Sequence, residues 1–198
     1  MHSARWILPA CAVLLGVLGA PAGVWAGVPA GAAAGAGARS AAAAPKGDFA
    51  REALIDGSPE DVWRLLTTAG GIESWLAPQA DVDLRVGGAI RTHQDRNGRI
   101  GDPQTLVNRV VALAPRRMLT VHVDRAPEAY PWAAAVVGTE YDVYVDPAGR
   151  GKTRVRCVGR GFPGGPMGYA LRSLFDQGMG LALVQLARAA EKPKPRRL

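Results

Sequence analysis

Residues 166–190, PMGYALRSLFDQGMGLALVQLARAA, decide the fold of this chain. Apolar side chains recur there every three or four residues, and this spacing predicts one long α-helix with an apolar stripe. The stripe consists of Leu171, Leu174, Phe175, Met179, Ala182 and Leu186. A helix of this kind must bury its stripe against another large element.

The segments before this helix predict an antiparallel β-sheet. In residues 81–86, Val82, Leu84 and Val86 alternate with charged neighbours, which is typical of a half-buried strand. We expect Gly87 and Gly88 to let this strand bend sharply. Turn-forming sequences at 95–98 and 146–149 predict hairpins. The other predicted strands are residues 49–55, 89–95, 101–113, 117–124, 136–146 and 151–160.

Two short helices are predicted between the first strand and the others. Ser58 is placed to cap the first helix, and Pro59 and Glu60 suit its first turn. We expect Gly70 and Gly71 to end that helix and residues 72–76 to form the second. A long antiparallel sheet must cover one face, and only the final helix is large enough to do so. The chain is therefore predicted to be an α+β protein whose sheet curls around its C-terminal helix.

Four regions are expected along the chain. Residues 1–26 are predicted to be a signal peptide, because a basic start precedes an apolar run too short for a membrane span. Cleavage is expected after Ala22 or Ala26, and a lipid-anchored Cys11 is an alternative. Residues 27–47 are rich in Ala and Gly and are expected to form a flexible linker. Residues 48–191 are the predicted domain, and residues 192–198 are a basic tail predicted to be disordered. The expected location is periplasmic or secreted.

Composition narrows the chemistry. After cleavage Cys157 is the one remaining cysteine, which excludes an intramolecular disulfide and a cysteine-based zinc site. The two histidines that remain, His93 and His122, lack the spacing of a metal motif. We therefore predict no metal and no cofactor. The formal charge of +7 is partly due to the basic tail, which could weakly touch a membrane surface or be simply solvated.

Two other patterns do not lead to a function. Residues 159–164, GRGFPG, fit the G-x-G-x-x-G pattern, but a dinucleotide site needs a second parallel strand after the helix, which the chain lacks. Arginines on residues 150–160 form a basic ladder without stacking aromatic residues between them, so no nucleic-acid partner is predicted.

Several motifs resemble the SRPBCC (START/Bet v 1-like) superfamily, nearest to the branch named after the activator of Hsp90 ATPase homologue. They are SPEDVWRLLTTAGGIESWLAP (58–78), DLRVGGAIRTH (83–93), VVALAPRRMLTV (110–121), GTEYDVYVDPAGRGKTRVRCVGRGFP (138–163) and QGMGLALVQLARAAE (177–191). The resemblance implies a helix-grip fold with a cavity between sheet and helix that commonly holds an apolar or amphipathic small molecule. The chain departs from the family at Met179, where members often have Trp.

The candidate lining of this cavity is aromatic with a few polar groups, as expected of a ligand site. The alternative is that most of these side chains belong to the packed core. The candidates are Trp75, His93, Trp132, Thr139, Tyr141, Phe162, Phe175 and Met179.

Three functions remain open at this point. The leading hypothesis is an exported protein that binds a hydrophobic or amphipathic small molecule without catalysis. The alternative is an enzyme resembling polyketide cyclases and dehydratases, in which His93 or His122, with Tyr141, transfers a proton. The third is a chaperone-partner module, against which the expected export argues. The oligomeric state and the identity of the ligand are left open.

Export has a direct test. We expect the intact mass of the protein recovered from the periplasm or medium to begin at Gly23 or Gly27, as cleavage after Ala22 or Ala26 requires. Recovery of the uncleaved chain from the cytosol would contradict the prediction and would favour the chaperone-partner hypothesis.

Overall fold

The computed structural model of the protein describes residues 49–191. The signal peptide, linker and basic tail predicted from the sequence lie outside the described residues. In chain order the elements are β1 (Phe49–Asp56), α1 (Pro59–Thr67), α2 (Ala69–Glu73), β2 (Gln79–Val82), β3 (Ala89–His93), β4 (Leu106–Ala114), β5 (Met118–Arg125), α3 (Ala133–Val136), β6 (Glu140–Pro147), β7 (Lys152–Arg160) and α4 (Gly165–Glu191).

The seven strands form one antiparallel sheet in the order β1-β7-β6-β5-β4-β3-β2. The sheet curls into a half-barrel around α4, which confirms the predicted helix-grip architecture. Register shifts in β4, between Val107 and Asn108 and between Val110 and Ala112, add to the local twist. Alternate residues of the central strands therefore face a buried inner surface, and their neighbours face outward.

Helix α4 covers part of this inner surface and contacts β1, β7 and α1. The predicted stripe is confirmed, since Leu171, Phe175, Met179 and Leu186 are almost fully buried. At the edge of the sheet the Arg51 guanidinium binds the Asp176 carboxylate through two hydrogen bonds of 2.6 Å. Because both side chains are partly exposed, this pair fixes orientation more than it adds stability.

The two short helices are fixed by their caps. Ser58 Oγ accepts a hydrogen bond from the Asp61 N–H at 3.2 Å, as predicted. Thr68 Oγ1 accepts one from the Gly71 N–H at 3.0 Å and so begins α2 at Ala69, earlier than the predicted residue 72. The expectation that Gly70 and Gly71 end the first helix is wrong, because both glycines lie inside α2.

The expected strand over residues 81–86 is also wrong. β2 ends at Val82, and the chain then turns back, with the Gly88 N–H donating to the Arg85 carbonyl at 2.8 Å. Gly87 has a positive φ of 82°. The Gly87 N–H and the Gly88 carbonyl each form a 2.8 Å hydrogen bond with the backbone of Val110 in β4. The two glycines therefore make the turn between β2 and β3 and attach it to β4, instead of bending one strand.

Two further strands begin later than predicted. β4 begins at Leu106 instead of residue 101, because residues 94–105 form a loop held by side-chain hydrogen bonds. β6 begins at Glu140 instead of residue 136, because residues 133–136 form α3. These two segments lie at the same end of the sheet and build the site described below.

None of the helices within residues 49–191 combines the length and the apolar character needed to span a membrane.

The turn at Gly88 can be tested by substitution. A Cβ added there would lie 2.3 Å from the carbonyl oxygen of Asp83, so Gly88→Ala must displace backbone. We expect Gly88→Ala to lower the free energy of unfolding by about 1–3 kcal/mol, the usual range for overpacking, as measured by urea denaturation.

Gly70→Ala is the matched control, because a Cβ added at Gly70 meets nothing within 4 Å inside a helix. This variant should be unchanged or more stable by up to about 1 kcal/mol. Equal stability of the two variants would show that the contact with Asp83 does not constrain the turn.

Candidate functional site

The space between the sheet and α4 contains an aromatic cluster made of Phe49, Tyr141, Phe162 and Phe175. Their ring centroids lie 5.5–6.4 Å apart in five pairs, three of which involve Phe162. Tyr141 and Phe175 are almost fully buried. Three of the predicted site residues therefore meet in this cluster, where they fill the inner surface instead of bordering a large opening.

The other predicted residues of this region are also buried. Met179 belongs to the same core, and Thr139 donates its hydroxyl to the Val136 carbonyl at 2.7 Å. A small inner pocket of about 20 Å³ remains farther along the sheet. It is about the size of a single water molecule. Its lining consists of Leu66, Ile72, Trp75, Leu76, Ile90, Thr92, Asn108, Leu119, Val121 and Val143.

A larger cavity, here called the end cavity, lies where β3, β4 and β5 reach the end of the sheet. Its volume is about 240 Å³. It is bounded on one side by the loop of residues 94–105 and on the other by the connection from β5 to β6. The lining residues are His93, Gln94, Asp95, Gly98, Asp102, Gln104, Leu106, Ala126, Pro127, Tyr130 and Val136.

The two sides of the end cavity differ in chemistry. The 94–105 loop contributes carboxylate and amide side chains, which form a polar wall. The opposite wall is apolar, and Leu106, Ala126, Tyr130 and Val136 are all buried. A cavity with one polar and one apolar wall suits a molecule with the same division.

The polar wall is held by Asp102. Its carboxylate accepts hydrogen bonds from the backbone N–H groups of Arg99 at 3.2 Å and Gln104 at 2.8 Å. Behind the loop, the Arg125 guanidinium donates to the carbonyls of Asp102 at 3.0 Å and Thr105 at 3.3 Å. The Gln79 amide ties the other half of the loop to β2. The wall is therefore formed before any ligand arrives.

His93 closes the base of this loop. Its Nδ1 lies 3.0 Å from both the N–H and the carbonyl oxygen of Asp95. Nε2 lies 3.0 Å from both carboxylate oxygens of Asp102 and donates to them. The ring packs on Gly98, where an added Cβ would lie 1.9 Å from Cε1. Both ring nitrogens are thus engaged by the protein itself.

These contacts determine the ionisation of Asp102. Partial burial alone would raise the pKa of this carboxyl group. The N–H groups of Arg99 and Gln104 and the neighbouring His93 favour the ionised form, and the pKa lies below its ordinary value of 3.8. Asp102 is therefore a carboxylate at neutral pH, and about 30% of its side chain is exposed.

The remaining predicted residues lie around the end cavity or away from it. Trp75 donates its indole N–H to the Leu65 carbonyl at 3.0 Å and pins the end of α2 to α1. It borders the inner pocket and an open groove of about 410 Å³, and Gln94 lines both this groove and the end cavity. Trp132 is 36% exposed and packs edge-on against Tyr130, with ring centroids 5.7 Å apart. Of the eight predicted residues, His93 alone lines the end cavity.

His122 lies on the outer face of the sheet. Its Nδ1 is 2.9 Å from the Asp124 carboxylate, which also binds Arg109. Two arginines of the basic ladder form ion pairs, Arg154 with Glu52 at 3.1 Å and Arg160 with Asp142, and the Arg156 guanidinium lies 4.6 Å from the centroid of the Tyr144 ring. His122 and Tyr141 are therefore not brought to the end cavity with His93.

The polar wall does not follow from the sequence patterns, because residues 89–95 and 101–113 are predicted to be strands whereas residues 94–105 form a loop. The signal that could have found it is Gly101-Asp102-Pro103, which consists of turn-forming residues. Leu106, Ala126 and Val136 of the apolar wall could not be identified from the sequence, because leucine, alanine and valine are equally common in a cavity lining and in a packed core. In the described part of the chain, no group of three His, Cys, Asp or Glu side chains is arranged to hold a metal ion.

Comparison with known proteins identifies the fold. A family model described as "Polyketide cyclase / dehydrase and lipid transport" matches residues 46–191. A crystal structure of a Mesorhizobium loti protein shares 22% identity with a TM-score of 0.57, covering 72% of this chain and 95% of that one. The Aha1 dimer from Colwellia psychrerythraea shares 19% identity with a TM-score of 0.55, covering 73% and 96%. These matches confirm the resemblance drawn from the sequence motifs.

A third structure with this fold is CalU16 from Micromonospora echinospora, with 18% identity and a TM-score of 0.52, covering 74% of this chain and 77% of that one. No protein of curated function matches the sequence. At these identities the solved structures show a shared fold.

The role of Asp102 predicts an acid-dependent loss of stability. A folded pKa below the unfolded value means that the carboxylate stabilises the fold above about pH 4 and loses this effect as the pH falls through the folded pKa. We expect Asp102→Asn to be less stable than the wild type at neutral pH. We also expect its free energy of unfolding to decline less between about pH 5 and about pH 2.

Urea denaturation at a series of pH values measures both effects. Parallel stability curves for the wild type and Asp102→Asn would show that the ionised Asp102 does not hold the loop.

Proposed function

We propose that this chain, which belongs to the polyketide cyclase/dehydrase and lipid transport family, is an exported protein that binds a small amphipathic molecule in the end cavity without catalysis. The observation that carries the proposal is the cavity of about 240 Å³ with one apolar and one polar wall. The buried side chains of Leu106, Tyr130 and Val136 border the cavity and would contact an apolar group of the ligand. Gln94, Asp102 and Gln104 offer polar atoms to a head group.

The size of the end cavity limits its ligand. Cavities that enclose drug-sized molecules usually measure about 300–1,000 Å³, so this one suits a short-chain amphiphile or a single aromatic ring. The neighbouring groove shares Gln94 with the cavity, so a longer molecule that leaves the cavity past Gln94 would contact the groove. The inner surface beneath α4 is occupied by Tyr141 and Phe175 and offers less room.

Binding without catalysis is favoured by the state of the histidines. A general acid or base must reach the proton that it transfers. The two ring nitrogens of His93 are held by Asp95 and Asp102, and His122 lies on the outer face. Export is supported by the basic start of the chain and by the short apolar run that follows it within residues 1–26.

The His93–Asp102 pair supports a second candidate, an enzyme resembling a cyclase or dehydratase. The pair borders the cavity, and a carboxylate beside a histidine is a common arrangement for proton transfer. In this candidate, ligand binding must release one ring nitrogen from the loop. Tyr141, the partner expected from the sequence, lies in the aromatic cluster and does not line the end cavity.

The proposal predicts that filling the cavity abolishes binding. Ala126 lines the end cavity, and Ala126→Phe would place a ring in it. We expect native mass spectrometry to detect retention of at least one member of a panel of medium-chain alcohols, amines and carboxylates and single-ring phenols. The Ala126→Phe variant should lose at least about tenfold in affinity, or 1.4 kcal/mol.

Ala170→Phe is the matched control, because Ala170 is exposed on α4 and adds the same side chain outside the cavity. This variant should bind as the wild type does, and circular dichroism should show both variants folded. If the wild type retains no probe, or if folded Ala126→Phe retains probes equally well, the end cavity is not the binding site.

A further inference from the structure

We infer that the end cavity selects amphiphiles whose polar end is a positively charged amine and disfavours those that end in a carboxylate. This inference rests on the proposed function and specifies its ligand class. It follows from the two carboxylates on the polar wall and from the lack of lysine and arginine among the described residues that line the cavity.

The polar wall contains two carboxylates, Asp95 and Asp102, and the amides of Gln94 and Gln104. Among the described residues that line the end cavity there is no lysine or arginine. Arg96 borders the neighbouring groove, and Arg99 does not line the cavity. His93 is the one lining residue that can carry a positive charge, and both of its ring nitrogens are turned to Asp95 and Asp102. A cationic ligand in this cavity therefore meets carboxylates with no lysine or arginine among the described lining residues.

Asp102 is held as a carboxylate by hydrogen-bond donors of the loop and of His93. They are the backbone N–H groups of Arg99 and Gln104, the Thr105 hydroxyl and the Nε2–H of His93. The Arg125 guanidinium donates to the backbone carbonyls of Gly101, Asp102 and Thr105, and Arg125 does not line the cavity. Its charge offsets part of the field of the Asp102 carboxylate.

Asp95 adds a second negative charge at the same wall. Its Oδ1 accepts a hydrogen bond from the Asn97 N–H at 2.9 Å, which is another neutral donor. No ion pair found among residues 49–191 includes Asp95. An ammonium group placed here gains attraction from both carboxylates, and the attraction is stronger at Asp102, which is partly shielded from water, than at the exposed Asp95.

A ligand that ends in a carboxylate is disfavoured at the same wall. It would give up hydration on entering the cavity and meet like charges at Asp95 and Asp102. Its apolar chain could still pack on Leu106 and Val136, so the penalty acts on the head group. The three head groups should therefore rank in the order amine, alcohol, carboxylate when the chain is held constant.

Octylamine, octanol and octanoate test this order, because they share one chain and differ in the head group. Isothermal titration of the whole protein at neutral pH should show octylamine binding about tenfold more tightly than octanol, the size of one hydrogen bond to a charged group. Octanoate should bind more weakly than octanol. Added salt should weaken octylamine binding and leave octanol binding unchanged.

Gln94→Lys tests the charge of the wall without touching the loop's internal bonds, since Gln94 is exposed at the mouth of the cavity. We expect it to weaken octylamine and strengthen octanoate, each by several-fold. Gln177→Lys makes the same change in net charge on the exposed surface of α4 and should leave all three affinities unchanged. Asp102→Asn, where it remains folded, should reduce the preference for octylamine over octanol.

The outcomes separate the two proposals. If the three probes bind with equal affinity, or octanoate binds best, the inference of amine selection is wrong while small-molecule binding stands. An equal response of Gln94→Lys and Gln177→Lys would also overturn it, because the effect would then come from net charge. If none of the three binds while a single-ring phenol does, the inference fails and small-molecule binding stands. If no probe of the whole panel binds, both the inference and the proposed function fail.

Discussion

The packing of Phe175 from α4 against Tyr141 of β6 and Phe162 of the loop between β7 and α4 determines how the rest of the inner surface is used. Each buried aromatic ring contributes roughly 1.5–3 kcal/mol through burial, and each well-placed ring pair about 0.5–1.5 kcal/mol more. Because Phe49 of β1 joins the same cluster, it links the edge strand, a central strand and the helix. These ring contacts hold α4 against the inner surface of the half-barrel.

A filled centre has a consequence for function. A helix-grip fold can leave space between sheet and helix, but here that space is taken by large side chains, and about 20 Å³ remains nearby. Open volume is found instead at the end of the sheet, where the strands stop and loops take over. The walls of the end cavity are therefore made by the 94–105 loop and the β5–β6 connection, whose sequences can vary without disturbing the aromatic cluster.

The sequence predicted what depends on local periodicity. The stripe of α4, the Ser58 cap and most of the hairpin order could be derived, since each is set by neighbouring residues. The turn at Gly87 and Gly88 could not, because it is held by hydrogen bonds to Val110, more than twenty residues away in the chain. The parity of β6 placed Tyr141 on one strand face, yet parity cannot show whether that side chain lines a space or fills it. His93 reaches the end cavity through contacts with Asp95 and Asp102 that no spacing rule describes.

The hydrogen bonds that build the polar wall also bear on what the site can do. A wall already ordered by Asp102, His93 and Arg125 spares a ligand much of the entropic cost of ordering a loop, which favours binding. The same bonds occupy the nitrogens of His93, and a histidine that orders a loop is not available to move a proton unless the loop opens. Preorganisation and proton transfer therefore compete for one side chain. The structure satisfies the first demand through bonds of about 3.0 Å on both sides of the ring, which is why binding is the stronger proposal for this cavity.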